Sequence, residues 1–197
     1  MYDKLNLILT YFSPAISFVL ITVLLLFQIL KKRLPSLKTL GNLIKIFISF
    51  LIIFAIFLSV LNYFTWKQND VSKHLLPPYT PIGYFLKYIF QHFFFKAIVL
   101  ILFSLAVFLG IEFLNHKFNK TFFYDEEPYL SALGILAVSW PNCLIFLCLV
   151  LLLGVIAHFI IQKGRLPLLY FWLPCALLIL LLGDIISKYI TINQLVI

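Results

Sequence analysis

The sequence predicts an all-α protein, a polytopic transmembrane helical bundle of about six spans that forms a single domain over residues 1–197. Hydrophobic residues make up 63% of the chain and charged residues 11%, whereas charged residues make up about a quarter of a soluble domain. The mean hydropathy is +1.09. Apolar runs of the length that crosses a hydrocarbon core of about 30 Å are separated by short basic or proline-containing turns.

The first two spans are the most regular part of the pattern. Ile8 to Leu30 is an apolar run that ends at the basic residues 31–33, and Pro35 then discourages continuation of the helix. Because this run extends beyond any small-residue cleavage site, we expect it to remain as a helix and not to be removed as a signal peptide. The second span is predicted over Leu43 to Phe64.

The next segment leaves two alternatives open. Thr65 to Pro81 is rich in polar residues and proline, which predicts a loop outside the bilayer. Tyr84 to Lys96 then reads as an amphipathic helix, which either lies on the membrane interface or forms the water-facing start of helix three, Ala97 to Phe113. Its polar residues recur at helical spacing: Lys87, Gln91, His92 and Lys96.

The apolar stretch that follows is too long for one span, and turn chemistry at 139–142 divides it. Helix four is therefore predicted over Pro128 to Trp140 and helix five over Cys143 to Ile161. Helix four is short, so it must thin the bilayer, pack among longer helices or be re-entrant. Helix six is predicted over Leu166 to Ile186.

The basic residues predict the orientation of the chain. With the first loop in the cytoplasm, nine of the fifteen basic residues lie on that side and six do not, which places both termini outside. The nine are Lys31, Lys32, Arg33, Lys38, Lys45, Lys117, Lys120, Lys163 and Arg165. Since these charges lie in short loops, they indicate topology and contact with the lipid bilayer, and we expect no nucleic-acid partner.

The sequence predicts neither a metal site nor a cofactor. The cysteines, Cys143, Cys148 and Cys175, lie within apolar runs and form no pair with metal-ligand spacing. Haem would need two histidines at matching depth on facing helices, and His92 and His158 fall near opposite membrane faces in the predicted topology.

The residues 125–127, an Asp followed by two Glu, hold three of the seven acidic side chains and directly precede an apolar helix. One interpretation is structural. Pro128 suits the first turn of a helix, and the positive end of the helix dipole stabilises nearby carboxylates. The stretch would then be an acidic N-terminal cap.

The other interpretation is chemical. Two carboxyl groups a few ångströms apart can share a proton and activate water, as in aspartyl-type hydrolysis. The acidic stretch supplies one partner, and in the predicted topology only Glu112 lies on the same side of the membrane to supply the other. The candidate catalytic residues are therefore Asp125, Glu126 and Glu112.

The order of several short motifs adds a family resemblance. The motifs are Arg33-Leu34-Pro35 after the first helix, Tyr129 to Gly134, Pro141, the basic turn Lys163 to Arg165, the segment Leu166 to Pro174, and Gly183-Asp184. In this order and approximate spacing, residues 97–185 and the first helix resemble the type IV prepilin peptidases. These are membrane aspartyl peptidases that cleave and often methylate pilin precursors.

The resemblance implies an aspartic endopeptidase of the bacterial cytoplasmic membrane that acts on a pilin-like signal segment. Asp125 or Glu126 would take the place of the aspartate in the family's Gly-x-Gly-Asp motif, both glycines of which are absent here. The family's first catalytic aspartate has no counterpart, and two of its usual eight helices are missing. The chain therefore resembles a reduced and divergent member, in which activity depends on Glu112 or is lost.

A non-enzymatic role is the alternative hypothesis. The chain would be a scaffold, an assembly partner of another membrane protein or a small transporter component, with its acidic mouth binding cations or a basic partner segment. This hypothesis expects the acidic side chains to be spread apart, whereas the peptidase hypothesis requires two carboxyl groups that face one cleft.

Overall fold

The computed structural model describes residues 2–31, 34–118, 122–161 and 168–190, and it describes side chains at 14–30, 34–118, 122–160 and 168–183. The described chain is helical, with short connections. Its α-helices are α1 (Tyr2–Lys31), α2 (Leu37–Gln68), α3 (Ile82–Ile89), α4 (Phe95–Lys117), α5 (Glu127–Val138), α6 (Asn142–Ile161) and α7 (Trp172–Ile190). The fold class predicted from the sequence, all-α and membrane-compatible, is confirmed.

Within the described chain, three helical segments are long and apolar enough to cross a membrane: Leu37–Gln68, Ile82–Lys117 and Asn142–Ile160. Three shorter apolar helical segments accompany them: Pro14–Leu30, Glu127–Val138 and Leu168–Gly183. The prediction of about six spans therefore agrees with the number of apolar helical segments among the described residues.

Helix α2 begins before its apolar pattern does. Ser36 caps the helix, and its hydroxyl accepts a hydrogen bond from the Thr39 backbone N–H at 3.3 Å. A side-chain acceptor at this position satisfies one of the backbone donors that an α-helix leaves unpaired at its start. The helix therefore starts at Leu37, six residues ahead of the predicted start at Leu43.

The loop after α2 carries an exposed ion pair between Asp70 and Lys73, whose charged atoms lie 2.6 Å apart. The hydrogen bond and charge of Lys73 lower the pKa of Asp70, and those of Asp70 raise the pKa of Lys73. The pair favours folding above the unfolded-state pKa of Asp70 and loses this effect as the pH falls through the lowered pKa. Because both groups are exposed, its effect on stability is small.

Helices α3 and α4 form one continuous rod, joined by a π-helical segment over Phe90–Phe94. Of the two alternatives for Tyr84 to Lys96, the structure agrees with the second, in which this segment is the start of the next helix. The Phe95 N–H bonds to the Phe90 carbonyl, five residues back, which is the π pattern.

Helix α5 lies at the centre of the bundle and contacts α1, α2, α4, α6 and α7. Every one of its twelve residues is buried except Tyr129, which is partly exposed. At 1.5 Å per residue it is about 18 Å long, which is well short of a membrane core. The short fourth helix is therefore packed among longer helices, one of the three arrangements that its length allowed.

Close packing around α5 depends on small side chains and one side-chain hydrogen bond. Ser104 of α4 donates from its hydroxyl to the Ala132 carbonyl at 3.2 Å, and both residues are buried. Gly134 lies against the ring of Phe146 in α6. These contacts fix α5 between α4 and α6.

The predicted turn at 139–142 ends α5. Ser139 has a φ of 65°, a left-handed conformation that an α-helix cannot continue through. Its carbonyl then accepts from the Cys143 N–H at 3.0 Å, which starts α6.

Besides α2, two further predicted helices differ from the structure at their starts. Helix α1 begins at Tyr2, six residues before the predicted Ile8, since the polar N-terminal residues continue the same helix. Helix α7 begins at Trp172, after a 3₁₀ turn over Leu168–Tyr170, and the predicted start at Leu166 falls outside the described residues. The predicted basic turn Lys163 to Arg165 also falls outside them.

Candidate functional site

The acidic stretch forms a turn that leads into α5. The Glu127 N–H donates to the Tyr124 carbonyl at 3.1 Å, and the Leu130 N–H donates to the Glu126 carbonyl at 3.0 Å. Pro128 occupies the first turn of the helix. Because successive residues of a helix point about 100° apart, three consecutive carboxyl groups at its start are directed to three different surroundings.

Asp125 lines a cavity of about 720 Å³ between the end of α4 and the start of α5, which we call the α4–α5 cavity. Glu112 and His116 of α4 line the same cavity, as does Leu37 at the start of α2. The start of α2, the end of α4 and the start of α5 therefore meet at one end of the bundle.

Asn115 holds the acidic turn against α4. Its side chain is buried, and its Oδ1 accepts a hydrogen bond from the Phe123 backbone N–H at 3.2 Å. Asn115 also lines the α4–α5 cavity. The sequence analysis did not select this residue, although a polar side chain near the end of an otherwise apolar helix was the available signal.

Glu126 lines a different cavity, of about 690 Å³, which we call the α1–α5 cavity. Gln28 of α1 contributes to its wall, and Leu169 and Tyr170 contribute from the 3₁₀ turn before α7. Gln28 donates from its Nε2 to the Leu169 carbonyl at 3.3 Å. The structure therefore does not bring Glu126 into the cavity that holds Glu112.

Glu127 belongs to the acidic stretch that the sequence singled out, but it is not among the predicted catalytic residues. It is 0% exposed, and neither Oε1 nor Oε2 has a hydrogen-bond partner among the described residues. The backbone N–H groups of Tyr124 and Leu169 approach the carboxyl but do not complete a hydrogen bond to it. Transfer of a carboxylate into such surroundings is unfavourable by several kcal/mol or more unless a compensating partner is present.

The α4–α5 cavity therefore joins two of the three predicted acids. Glu112 and Asp125 line one space, and His116 follows Glu112 by four residues, on the same face of α4. Two carboxyl groups that come within a few ångströms of each other in such a cavity can hold one proton between them and polarise a water molecule, while an adjacent imidazole can accept or donate a hydrogen bond.

Among the described side chains, no group of three or more His, Cys, Asp or Glu residues could hold a metal ion. Cys143 and Cys175 are buried and Cys148 is exposed, and all three are free thiols. The other late acid, Asp184, has a side chain outside those that the structure describes.

No protein-family model, curated protein or solved structure matches this chain. The resemblance to the prepilin peptidases therefore depends on the order of the sequence motifs.

Proposed function

We propose that this multi-pass membrane protein is an aspartic endopeptidase of the prepilin-peptidase type, with Glu112 and Asp125 as its two acids. The observation that supports the proposal is that both residues line the α4–α5 cavity, at the mouth of the buried helix α5. The cavity volume of about 720 Å³ is sufficient for a short extended segment of peptide.

In this proposal, one carboxyl is ionised and the other is protonated. The carboxylate removes a proton from water as the water oxygen attacks the scissile carbonyl, and the protonated carboxyl donates its proton to the carbonyl oxygen. Collapse of the tetrahedral intermediate breaks the C–N bond: the leaving amine takes the proton that the first carboxylate removed from water, and the second carboxylate regains its proton from the hydroxyl of the intermediate. His116 would orient Glu112 through a hydrogen bond.

Asn115 has a positioning role in the same proposal. Its bond to the Phe123 N–H ties the segment that carries Asp125 to the helix that carries Glu112. Misplacement of a reacting group by about 1 Å can lower a rate about 100-fold, so a fixed spacing between the two acids would be essential to the reaction.

Co-expression with a pilin-like precursor, followed by mass spectrometry of the precursor's N-terminus, tests the proposal. We expect the wild-type protein to produce a mature N-terminus and Glu112→Gln or Asp125→Asn to reduce its rate of formation at least about 100-fold, the usual scale of acid–base catalysis. Glu126→Gln is the matched control, because Glu126 lines the other cavity. An absence of processing by the wild type, or equal processing by all variants, would exclude the peptidase.

A non-enzymatic assembly partner is the second proposal. The observation that favours it is the distribution of the acids, because Glu126 lies in one cavity and Glu112 with Asp125 in another. The same co-expression distinguishes the two. An assembly partner would co-purify with the intact precursor, and neutralising either set of acids would weaken this association without changing the precursor's N-terminus.

A further inference from the structure

The buried carboxyl of Glu127 has no role in the proposed hydrolysis and no partner among the described residues. Buried polar groups in folded proteins are hydrogen-bonded in the great majority of cases, and an exception calls for an unseen water, ion or ligand. Protonation alone does not resolve the exception, since the neutral acid still carries a hydroxyl donor and a carbonyl acceptor.

The surroundings of this carboxyl indicate where a partner would lie. The two backbone N–H groups that approach it belong to Tyr124 and Leu169, and both residues line the α1–α5 cavity. The carboxyl of Glu127 therefore lies close to the backbone of two residues that line this cavity, and the preceding residue, Glu126, lines it as well.

The polar residues that line the α1–α5 cavity are of types that carry oxygen atoms. Glu126 has a carboxyl group, Gln28 has an amide, and Tyr124 and Tyr170 have hydroxyl groups. Because Gln28 uses its Nε2 to donate to Leu169, its Oε1 is left as an acceptor. The described lining contains no lysine, arginine, histidine or cysteine.

We propose that the α1–α5 cavity binds a small cation through the carboxyl groups of Glu126 and Glu127. Carboxylate, amide and hydroxyl oxygens are the ligands of hard cations such as Na⁺, Mg²⁺ and Ca²⁺, and a protonated primary amine meets the same oxygens with hydrogen bonds. A bound cation removes the unfavourable burial of an unpaired carboxylate at Glu127. The site is separate from the proposed peptidase acids.

Thermal unfolding of the purified full chain in an uncharged detergent tests this site. After treatment with a chelator, the protein is titrated with NaCl, MgCl₂, CaCl₂ or methylammonium chloride, with choline chloride at equal ionic strength as the reference. A ligand that binds only the folded state raises the midpoint in a saturable way. We expect such a rise with at least one small cation. A rise with a metal salt would identify the ligand as a metal ion, and a rise with methylammonium would identify it as a protonated amine.

Three variants locate the effect. Glu127→Gln and Glu126→Gln should each raise the apparent dissociation constant at least tenfold, and Glu112→Gln should leave it unchanged, since Glu112 lines the other cavity. Without cation, Glu127→Gln should unfold at or near the wild-type temperature, because the buried carboxyl has no hydrogen-bond partner among the described residues that the substitution would remove. Glu126→Gln supplies the test if Glu127→Gln does not fold.

Two results would overturn the proposal. One is that none of the four salts raises the unfolding midpoint more than choline chloride does. The same result is expected if a basic side chain of the protein itself occupies the cavity. The other is a rise in midpoint that both glutamine variants retain. Failure here is distinguishable from failure of the peptidase proposal, because cation binding should survive in Glu112→Gln while processing of the precursor should not.

Discussion

Gly134 shows how closely a single residue constrains the central helix. A Cβ atom at this position would lie 2.5 Å from Cζ of Phe146 and 2.9 Å from its Cε1. Phe146 is itself 0% exposed, so its ring has no free space into which it could move. The contact between α5 and α6 therefore depends on the absence of a side chain at Gly134.

Gly134→Ala should destabilise the protein by about 1–3 kcal/mol, the usual effect of overpacking a filled core. Gly110→Ala is the matched control, because a Cβ at Gly110 of α4 meets nothing within 4 Å. We expect this control to be neutral or up to about 1 kcal/mol more stable, since alanine favours a helix over glycine. Thermal unfolding in detergent compares the two, and equal midpoints would show that the α5–α6 contact is looser than described.

At the scale of single residues, the sequence predicted where the site lies but not which acidic side chain is buried. Composition and position correctly drew attention to residues 125–127, but three adjacent carboxyl groups look alike in a sequence. Which one turns inward depends on the residue at which α5 starts. Because the helix starts at Glu127, that side chain is enclosed while Asp125 and Glu126 reach separate cavities.

At the scale of an element, the π-helical segment Phe90–Phe94 sets the register of the longest rod. In an unbroken α-helix, with about 100° per residue, Lys96 would lie within about 20° of Phe85 and Ile89, which are both buried. One extra residue in the π segment rotates the following helix back by about 100°, so Ala97 takes that position. Lys96 is exposed as a result.

Deletion of Gln91 should therefore destabilise the protein, because it restores an unbroken α-helix across this segment. The deletion either turns Lys96 toward the bundle or turns Phe85 and Ile89 away from the aromatic cluster around Trp66. Gln91→Ala keeps the residue count and serves as the control, since Gln91 is exposed. A deletion variant with the unfolding midpoint of Gln91→Ala would show that the π segment does not set the register.

The sequence predicted this helix in part. The spacing of its polar residues correctly indicated a helix over Tyr84 to Lys96, and Lys87, Gln91, His92 and Lys96 are exposed. The extra residue is invisible to such a pattern, because a π turn has no composition of its own and forms only when packing on both sides demands a different rotation. Continuity with α4 therefore had to come from the structure.

At the scale of the whole molecule, α2 and the rod Ile82–Lys117 separate two ends of the bundle. Val71 lies in the loop at one end and is 80% exposed, and Phe122 lies near the acidic turn and is 39% exposed. The basic-residue count predicts that the end with Phe122 faces the cytoplasm.

Single cysteines at Val71 and at Phe122, in a background with the three native cysteines replaced by alanine, test this orientation. A membrane-impermeant maleimide added to intact cells should label Val71→Cys, whereas Phe122→Cys should react only after permeabilisation. Labelling of both from outside would contradict a full crossing of the membrane by the rod Ile82–Lys117, which separates these positions. The reverse pattern would show that the termini lie in the cytoplasm.

The sequence predicted the architecture at this scale well, because hydropathy indicates which segments are apolar helices and turn residues indicate where these helices end. Hydropathy could not reveal which apolar helix the others surround. Helix α6 is the more apolar of the two, yet its Leu151 and Leu152 are exposed while the whole second half of α5 is enclosed.

The complete enclosure of α5 has a consequence for the biogenesis of the protein. A helix of about 18 Å cannot settle across a bilayer by itself, and two of the helices that cover it, α6 and α7, follow it in the chain. During synthesis, α5 must therefore be held beside α4 or by the insertion machinery until α6 and α7 have been made. Helices α4 and α5 are both synthesised before α6 and α7. The hydrogen bond from Ser104 to the Ala132 carbonyl would therefore position α5 beside α4 before the later helices pack against it.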